Sequence, residues 1–230
     1  FKTTQNDDVI AQALVEDMVK RKIKTLGFIG TADPYGDNWG KVIASLAAKN
    51  GIKVVAKESF QRQDTSLTGQ ALKLIATKPQ AILVAAPGSS AVPPQTALYD
   101  RGYRGQMYQT HGAALDQFLK MGGNKVNNTI LAASLMLVIN EIPNSNVSKP
   151  IALKYMNSYK KMYGEYPATF GANVYDAGLL LEKAVPVALK KAKPGTAQFR
   201  QELRTALEHT KELAGTQGVY NMTPSDHSGF

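Results

Sequence analysis

Short apolar runs that alternate with helical patterns over residues 1–135 constrain the fold of this chain more than any other feature. The run Ala81–Ala86 is continuously apolar, as expected of a parallel strand that is buried on both faces. The other strand-like runs are Thr25–Gly30, Ile52–Ala56, Gln106–Gln109 and Thr129–Leu135. Between them lie helical patterns at Asp37–Asn50, Ser66–Thr77 and Ser90–Arg101. This order predicts an α/β fold with a doubly wound parallel sheet.

Local signals mark the faces and ends of these helices. An opening helix, capped by Asn6 or Asp7, has an apolar stripe that includes Val9, Ala13, Leu14 and Met18. Gly51 stands where a glycine commonly follows a helix C-cap. Pro93 and Pro94 are compatible with a helix only in its first turn, so they place the start of that helix close to Ser90.

The alternation stops after about Leu137. The polar stretch Asn140–Asn146 contains a proline and is typical of a linker or hinge. The remaining patterns are helical at Pro150–Tyr163, Phe170–Lys190 and Gln198–His209, with a strand-like run only at Gly218–Met222. Because three helices without a sheet do not make a convincing separate domain, we expect them to cover strands that lie elsewhere.

Composition limits the classes of function. The formal net charge is +9, from 27 Lys and Arg against 18 Asp and Glu, but the basic residues are spread along helices, which favours solvated helix ends over a nucleic-acid surface. The absence of cysteine excludes disulfide frameworks and thiolate metal sites. Residues 1–20 form an amphipathic pattern rather than a signal peptide, so we expect that such a signal was removed or precedes this chain.

Motifs for catalysis or cofactor binding are missing from the sequence. There is no G-x-G-x-x-G fingerprint, no G-x-x-x-x-G-K-[ST] loop and no G-x-S-x-G elbow. The three histidines, His111, His209 and His227, do not have the spacing of metal ligands. The sequence therefore predicts no cofactor, no metal and no enzymatic activity.

Residues suited to ligand binding follow three of the predicted strands. Tyr35 follows the first strand within Asp33–Gly36, the polar turn Ala86–Ser90 follows the buried strand, and His111 follows the next. In doubly wound sheets, ligands bind outside the carboxyl ends of the strands. This set suits a small ligand that has a carboxylate group, and an aromatic ring in that ligand would also be compatible with it. In the alternative interpretation, Tyr35 covers the sheet end and His111 is structural. Trp39, early in a helix, is expected to pack within the protein rather than to contact a ligand.

Three segments carry a resemblance to a known family. Phe1–Asp7, read F-K-T-T-Q-N-D, resembles the F-R-T-T-P-N-D segment where type I periplasmic solute-binding proteins of ABC transporters cross between lobes. Asp33–Gly40 is similar to the family's strand-end Y-G-x-x motif, and Gly218–Gly229 to its tail motif. The similarity runs over the whole chain. It is to the leucine/isoleucine/valine-binding group and its relatives that bind aromatic and other carboxylic acids.

The resemblance implies two Rossmann-like or flavodoxin-like lobes, one of them incomplete. Residues 1–135 would form lobe two, 136–216 the helical return segment of lobe one, and 217–230 the crossing back to lobe two. The N-terminal part of lobe one and the last strands would then be lacking. We expect such a chain to be intact only with that remainder or by self-association.

Site residues follow from the same resemblance. Tyr35 matches a tyrosine of the side-chain pocket; Pro87 and Gly88, with Ser89 beside them, match positions of aromatic contacts; and Phe170 and Tyr175 match a returning helix that adds an aromatic. His111 stands where amino-acid binders have a glutamate that pairs with the ligand ammonium. Because an imidazole is not a permanent anion, we expect a carboxylate without an ammonium group.

The implied function is the substrate-binding component of an ABC importer, periplasmic or extracellular and lipid-anchored, which delivers a small organic carboxylate to the permease. A ligand-binding sensor domain with the same fold is the alternative. An enzyme that uses Tyr35 and His111 as acid–base groups has no nucleophile or metal cluster to support it. Binding of nucleic acid would rest on the charge alone.

Overall fold

The structure, a computed structural model, describes residues 1–230 and contains eight α-helices and seven strands. In the α/β part they are α1 (Asp7–Lys20), β1 (Thr25–Thr31), α2 (Pro34–Lys49), β2 (Lys53–Phe60), α3 (Thr68–Ala76), β3 (Ala81–Ala85), α4 (Val92–Asp100), β4 (Gln106–Gln109), α5 (Asp116–Gly122) and β5 (Ile130–Leu131). The remaining elements are α6 (Lys149–Tyr163), α7 (Thr169–Leu189), α8 (Ala197–Glu208), β6 (Leu213–Ala214) and β7 (Val219–Tyr220). None of the helices combines the length and apolar character that a membrane crossing requires.

Contacts between residues divide the chain into two compact units. The α/β unit is Asp7–Ala133, and the helical unit is Phe1–Asn6 together with Ser134–Phe230. Residues 217–230 thus make their contacts with the helical segment. The assignment of residues 1–135, 136–216 and 217–230 to the lobes of a two-lobed protein stays a prediction.

The α/β unit is built on one parallel sheet with the strand order β2-β1-β3-β4-β5. β3 lies in the centre, and all five of its residues are buried, as its continuous apolar run predicts. The predicted α/β fold with a doubly wound parallel sheet is therefore confirmed. Thr129–Leu135 is an exception, because only Ile130 and Leu131 pair with β4.

Helix α2 begins three residues earlier than the sequence predicts. The Asp33 side chain accepts a hydrogen bond from the Gly36 amide at 3.1 Å and so caps the helix, and Pro34 fits the first turn because it lacks an N–H. At the other end, Asn50 is the C-cap and Gly51 has φ +69°, the left-handed conformation expected of a glycine in that position.

The core of the α/β unit lies on both faces of the sheet. Successive strand residues point to opposite faces, so Leu83 and Ala85 pack with α1 and α2, whereas Ile82 and Val84 pack with α3, α4 and α5. The predicted stripe of α1 is correct at Leu14 and Met18 but wrong at Val9 and Ala13, which are exposed. The other residues that α1 buries are Ile10, Ala11 and Val15.

The helical unit has two small cores and a two-stranded antiparallel hairpin, β6-β7. One core includes Tyr155 and Ala172, and the other includes Leu180, Leu207 and Tyr220. The predicted helices of this region are confirmed to within a residue at each end. β6 was not predicted, since a two-residue strand has no periodicity of its own.

Candidate ligand-binding site

The carboxyl ends of β1, β3 and β4 lie side by side at one edge of the sheet. β1 leads to β2 on one side, and β3 leads to β4 on the other, so the order reverses between β1 and β3. Ligands of open α/β sheets bind outside the carboxyl ends of the strands at such a switch point. We call the three loops that follow these strands, Thr31–Tyr35, Ala86–Ser90 and Thr110–Gly112, the strand-end site.

Tyr35 lies in the first turn of α2 and is half-buried. Its Oη is 2.7 Å from Thr110 Oγ1, so a hydrogen bond joins the loop after β1 to the loop after β4. Burial raises the pKa of the Tyr35 phenol to about 12, although the hydrogen bond with Thr110 acts in the opposite direction. The phenol is therefore neutral over the physiological pH range.

Gly112 lets the loops after β3 and β4 approach each other. A Cβ at this position would lie 2.8 Å from Tyr35 Oη, and 3.1 Å from both Ala86 O and Pro87 Cα. The first distance is shorter than real Cβ contacts, and two of the three neighbours are backbone atoms that cannot easily move. The glycine thus brings Tyr35, Pro87 and the loop of His111 together.

His111 opens a single 3₁₀ turn, His111–Ala113, and is half-buried. The centre of its ring is 6.5 Å from that of Tyr35 in an edge arrangement and 6.0 Å from that of Trp39. Trp39 itself is 0% exposed, which confirms that it packs. The imidazole therefore lies against two aromatic rings at the edge of the sheet.

Pro87, Gly88 and Ser89 form the loop after β3. Gly88 has φ +60° and opens the 3₁₀ turn Gly88–Ala91, so α4 begins at Val92 rather than at Ser90. The Ser90 hydroxyl donates to Pro87 O at 2.5 Å and stabilises the turn. Pro87 and Gly88 are half-exposed and Ser89 is exposed, so this loop is accessible but carries no large side chain.

Asp33 is the one carboxylate within the three loops. Its side chain accepts from the Gly36 amide and the Thr31 hydroxyl, and Arg62 Nη2 lies 2.7 Å from Oδ2. Burial acts to raise the pKa of Asp33, but these three partners outweigh it and lower the pKa. Asp33 is therefore ionised and engaged within the protein. The site gains no free anion from it.

Phe170 and Tyr175 lie on α7 in the helical unit. Phe170 is in the first turn and 43% exposed, whereas Tyr175 is half-buried with its ring 4.8 Å from that of Tyr155. Both stay predicted ligand contacts.

The sequence did not single out Thr110 or Gly112 as residues that shape the site. Their loop was noted because it follows a strand, but a hydrogen bond between loops that are 75 residues apart has no local signal. A glycine three residues after the predicted end of a strand is the one hint that a close approach occurs there. No group of three or more His, Cys, Asp or Glu side chains that could hold a metal ion is present.

Comparison with known proteins identifies what this architecture resembles. A family model described as "periplasmic binding protein" matches residues 1–229. An extracellular ligand-binding receptor from Rhodopseudomonas palustris is 41% identical, with a TM-score of 0.95, over 98% of this chain and 63% of its own. The chain therefore spans less than two thirds of that relative. A search of the curated proteins finds no match.

More distant structures share the fold. A leucine-binding protein from Thermotoga maritima is 19% identical, with a TM-score of 0.82, over 99% of this chain and 61% of its own. An ABC-transporter solute-binding protein from R. palustris, solved with benzoate, is 16% identical, with a TM-score of 0.79, over 99% of this chain and 59% of its own.

Proposed function

Because the chain belongs to the type I periplasmic binding proteins, as its motifs indicate, we propose that it acts as the solute-binding component of an ABC importer and carries a small organic carboxylate to the permease. Proteins of this family bind ligands and are not enzymes. The proposed location is the periplasm or the outer face of the cell, in line with the family and with the extracellular receptor that the chain resembles.

The observation that carries the proposed ligand class is the absence of a free carboxylate at the strand-end site. A ligand with an ammonium group needs an anion or several acceptors as its partner. Asp33 is bound by Arg62, and His111 stands at the position where the family resemblance implies a glutamate. The site therefore favours an acid without an ammonium group over an α-amino acid.

Tyr35 supports an apolar or aromatic body for this ligand. Its hydroxyl is held by Thr110, so the face and edge of the ring are what it offers to a bound molecule. Pro87 and Gly88 leave room beside it because neither has a bulky side chain. Phe170 and Tyr175 are proposed to add aromatic contacts from α7. The benzoate held by one distant relative is an acid of this kind.

The experiment is a calorimetric titration of the protein, expressed in the full length that its gene encodes, with benzoate and with leucine. We expect benzoate-type acids to bind and leucine to bind far more weakly. His111→Glu would place a permanent anion in the site, and we expect it to weaken binding of the acid by roughly tenfold or more, because like charges repel where water is excluded.

His209→Glu is the matched control. His209 is exposed at the end of α8, so the variant makes the same change in charge outside the strand-end site. Tight binding of leucine by the unmodified protein would contradict the proposed ligand class. An equal loss of acid binding in both variants would show that net charge, rather than the position of His111, is responsible.

A further inference from the structure

A concave site lies at the amino ends of β4 and β5, at the opposite edge of the sheet from the strand-end site. It is a half-open cavity of about 230 Å³, lined by residues of α4, of the start of β4 and of the loop before β5. The lining residues that matter here are Tyr99, Arg104, Gln106, Lys125 and Asn128. We call it the amino-edge pocket.

Arg104 is held in place by the protein without a charge partner. Its Nη1 donates to Tyr99 O at 2.7 Å and to Tyr103 O at 2.8 Å. The guanidinium carbon lies 4.2 Å from the centre of the Tyr99 ring, so the group is also fixed by a cation–π contact. No carboxylate lies within ion-pair distance of Arg104, and Nε and Nη2 make no hydrogen bond within the protein.

The other cation of the pocket is already neutralised. Lys125 Nζ lies 2.8 Å from Asp100 Oδ2, so this pair contributes no net charge. The side-chain amide of Gln106 donates from Nε2 to Met107 O and to Asn128 O, and these hydrogen bonds stabilise the starts of the two strands that border the pocket. The pocket therefore has one uncompensated positive charge, on a planar group whose Nε and Nη2 still have three unused N–H donors.

We propose that the amino-edge pocket binds a small carboxylate on Arg104. A guanidinium with free donors matches the two oxygens of a carboxylate, and Tyr99 covers one side of the group. One uncompensated charge is balanced by a monoanion rather than by a phosphate dianion. The cavity lies below the roughly 300–1,000 Å³ of typical drug-sized ligand sites, so the ligand is a short-chain or single-ring acid.

The test is an NMR titration of ¹⁵N-labelled protein with acetate, benzoate and inorganic phosphate at constant ionic strength, with chloride as the reference anion. We expect saturable shifts of the Arg104, Gly105 and Asn128 amides with the carboxylates and weaker, non-saturating shifts with phosphate. The amides of His111 and Gly112 report separately on the strand-end site. Failure of one site is thus distinguished from failure of the other.

Two variants test the role of the guanidinium. Arg104→Gln removes the charge, and Arg104→Lys keeps it but removes the planar pair of donors. We expect each variant to bind the carboxylate about tenfold more weakly, or worse. Arg101→Gln is the control, because Arg101, the C-cap residue of α4, donates to Thr68 outside the pocket. The spectra themselves show whether each variant is folded.

Several results would overturn the proposal. These are shifts that do not saturate with either carboxylate, saturation by phosphate in preference to them, unchanged affinity in Arg104→Gln, or an equal loss in Arg101→Gln. Unchanged affinity in Arg104→Lys would also contradict it, because a point charge would then suffice.

Discussion

Gly112 shows how a single residue determines the geometry of the strand-end site. Gly112→Ala would place a methyl group 2.8 Å from Tyr35 Oη and 3.1 Å from Ala86 O. We expect the variant to lose about 1–3 kcal/mol of unfolding free energy, because the buried loops must separate. Urea denaturation measures this loss. We also expect weaker ligand binding, since the hydrogen bond between Tyr35 and Thr110 depends on the same approach.

Gly69→Ala provides the control for this prediction. Gly69 lies in the first turn of α3, its φ is not positive, and a Cβ there meets nothing within 4 Å. Alanine at this position is expected to stabilise the helix by about 0.4–1 kcal/mol. If Gly112→Ala unfolds at the same urea concentration as the unmodified protein, the close approach of the loops is not a constraint.

At the level of residues, the sequence predicted part of the site. Tyr35 and His111 could be placed together because each follows a parallel strand, and parallel strands end at a common edge. Thr110 could not be identified as the partner of Tyr35, because the contact depends on the distance between two loops. The engagement of Asp33 by Arg62, likewise, joins residues 29 positions apart. Both interactions are products of tertiary packing.

At the level of elements, a buried carboxylate of α7 accepts hydrogen bonds from the hairpin β6-β7. Asp176 is 0% exposed; its Oδ1 accepts from the Thr216 amide at 2.7 Å. Tyr220 Oη lies 2.8 Å from Asp176 Oδ2 and 3.2 Å from Thr3 O. Burial raises the pKa of Asp176, although the Thr216 amide and the Tyr220 hydroxyl act against this.

The raised pKa gives the helical unit a pH dependence of known sign. The folded state holds its proton to higher pH than the unfolded chain, whose aspartate titrates near 3.8. The contribution of this group to the unfolding free energy is therefore greatest below pH 3.8, and it falls as the pH rises through the pKa of the folded state. Other carboxylates of the chain add their own slopes, so the effect of Asp176 is isolated only by substitution.

Asp176→Asn is predicted to remove this loss of stability with rising pH. The amide oxygen can still accept from the Thr216 amide, and the amide nitrogen can donate to Tyr220, whose hydroxyl then donates to Thr3 O. Urea midpoints measured from pH 4 upward should show that the stability of the variant, relative to the unmodified protein at the same pH, increases as the pH rises. Glu165→Gln, an exposed carboxylate of the same unit, is the control. Parallel pH profiles for the two variants would refute the prediction.

The lengths of the elements show where sequence patterns stop being informative. β4 was predicted to the residue, and α6, α7 and α8 to within one residue at each end, because each has a clear period or a breaker at its end. β5 is much shorter than its apolar run, since a strand ends where its neighbour β4 ends. β1 and β2 extend past their predicted ends because each continues to pair with the other.

At the scale of the whole molecule, the two units differ in how well they cover their apolar surface. The α/β unit encloses its sheet on both faces. In the helical unit, Phe170, Val174 and Leu181 recur on α7 at spacings of four and seven residues and so lie on one helix face. All three are exposed, Val174 to 73%. That the C-terminal helices cover strands that lie elsewhere stays a prediction.

An apolar stripe of this kind favours association, because burying it removes apolar surface from water. We therefore predict that the 230-residue chain forms oligomers at micromolar concentration, which light scattering coupled to size-exclusion chromatography would detect as a mass above 24.9 kDa. Val174→Lys should shift the chain toward the monomer, since it puts a charge in the centre of the stripe. Leu72→Lys, which changes an exposed leucine of α3, should leave the mass unchanged. A stable, folded monomer at every concentration would show that the helical unit needs no partner for this face.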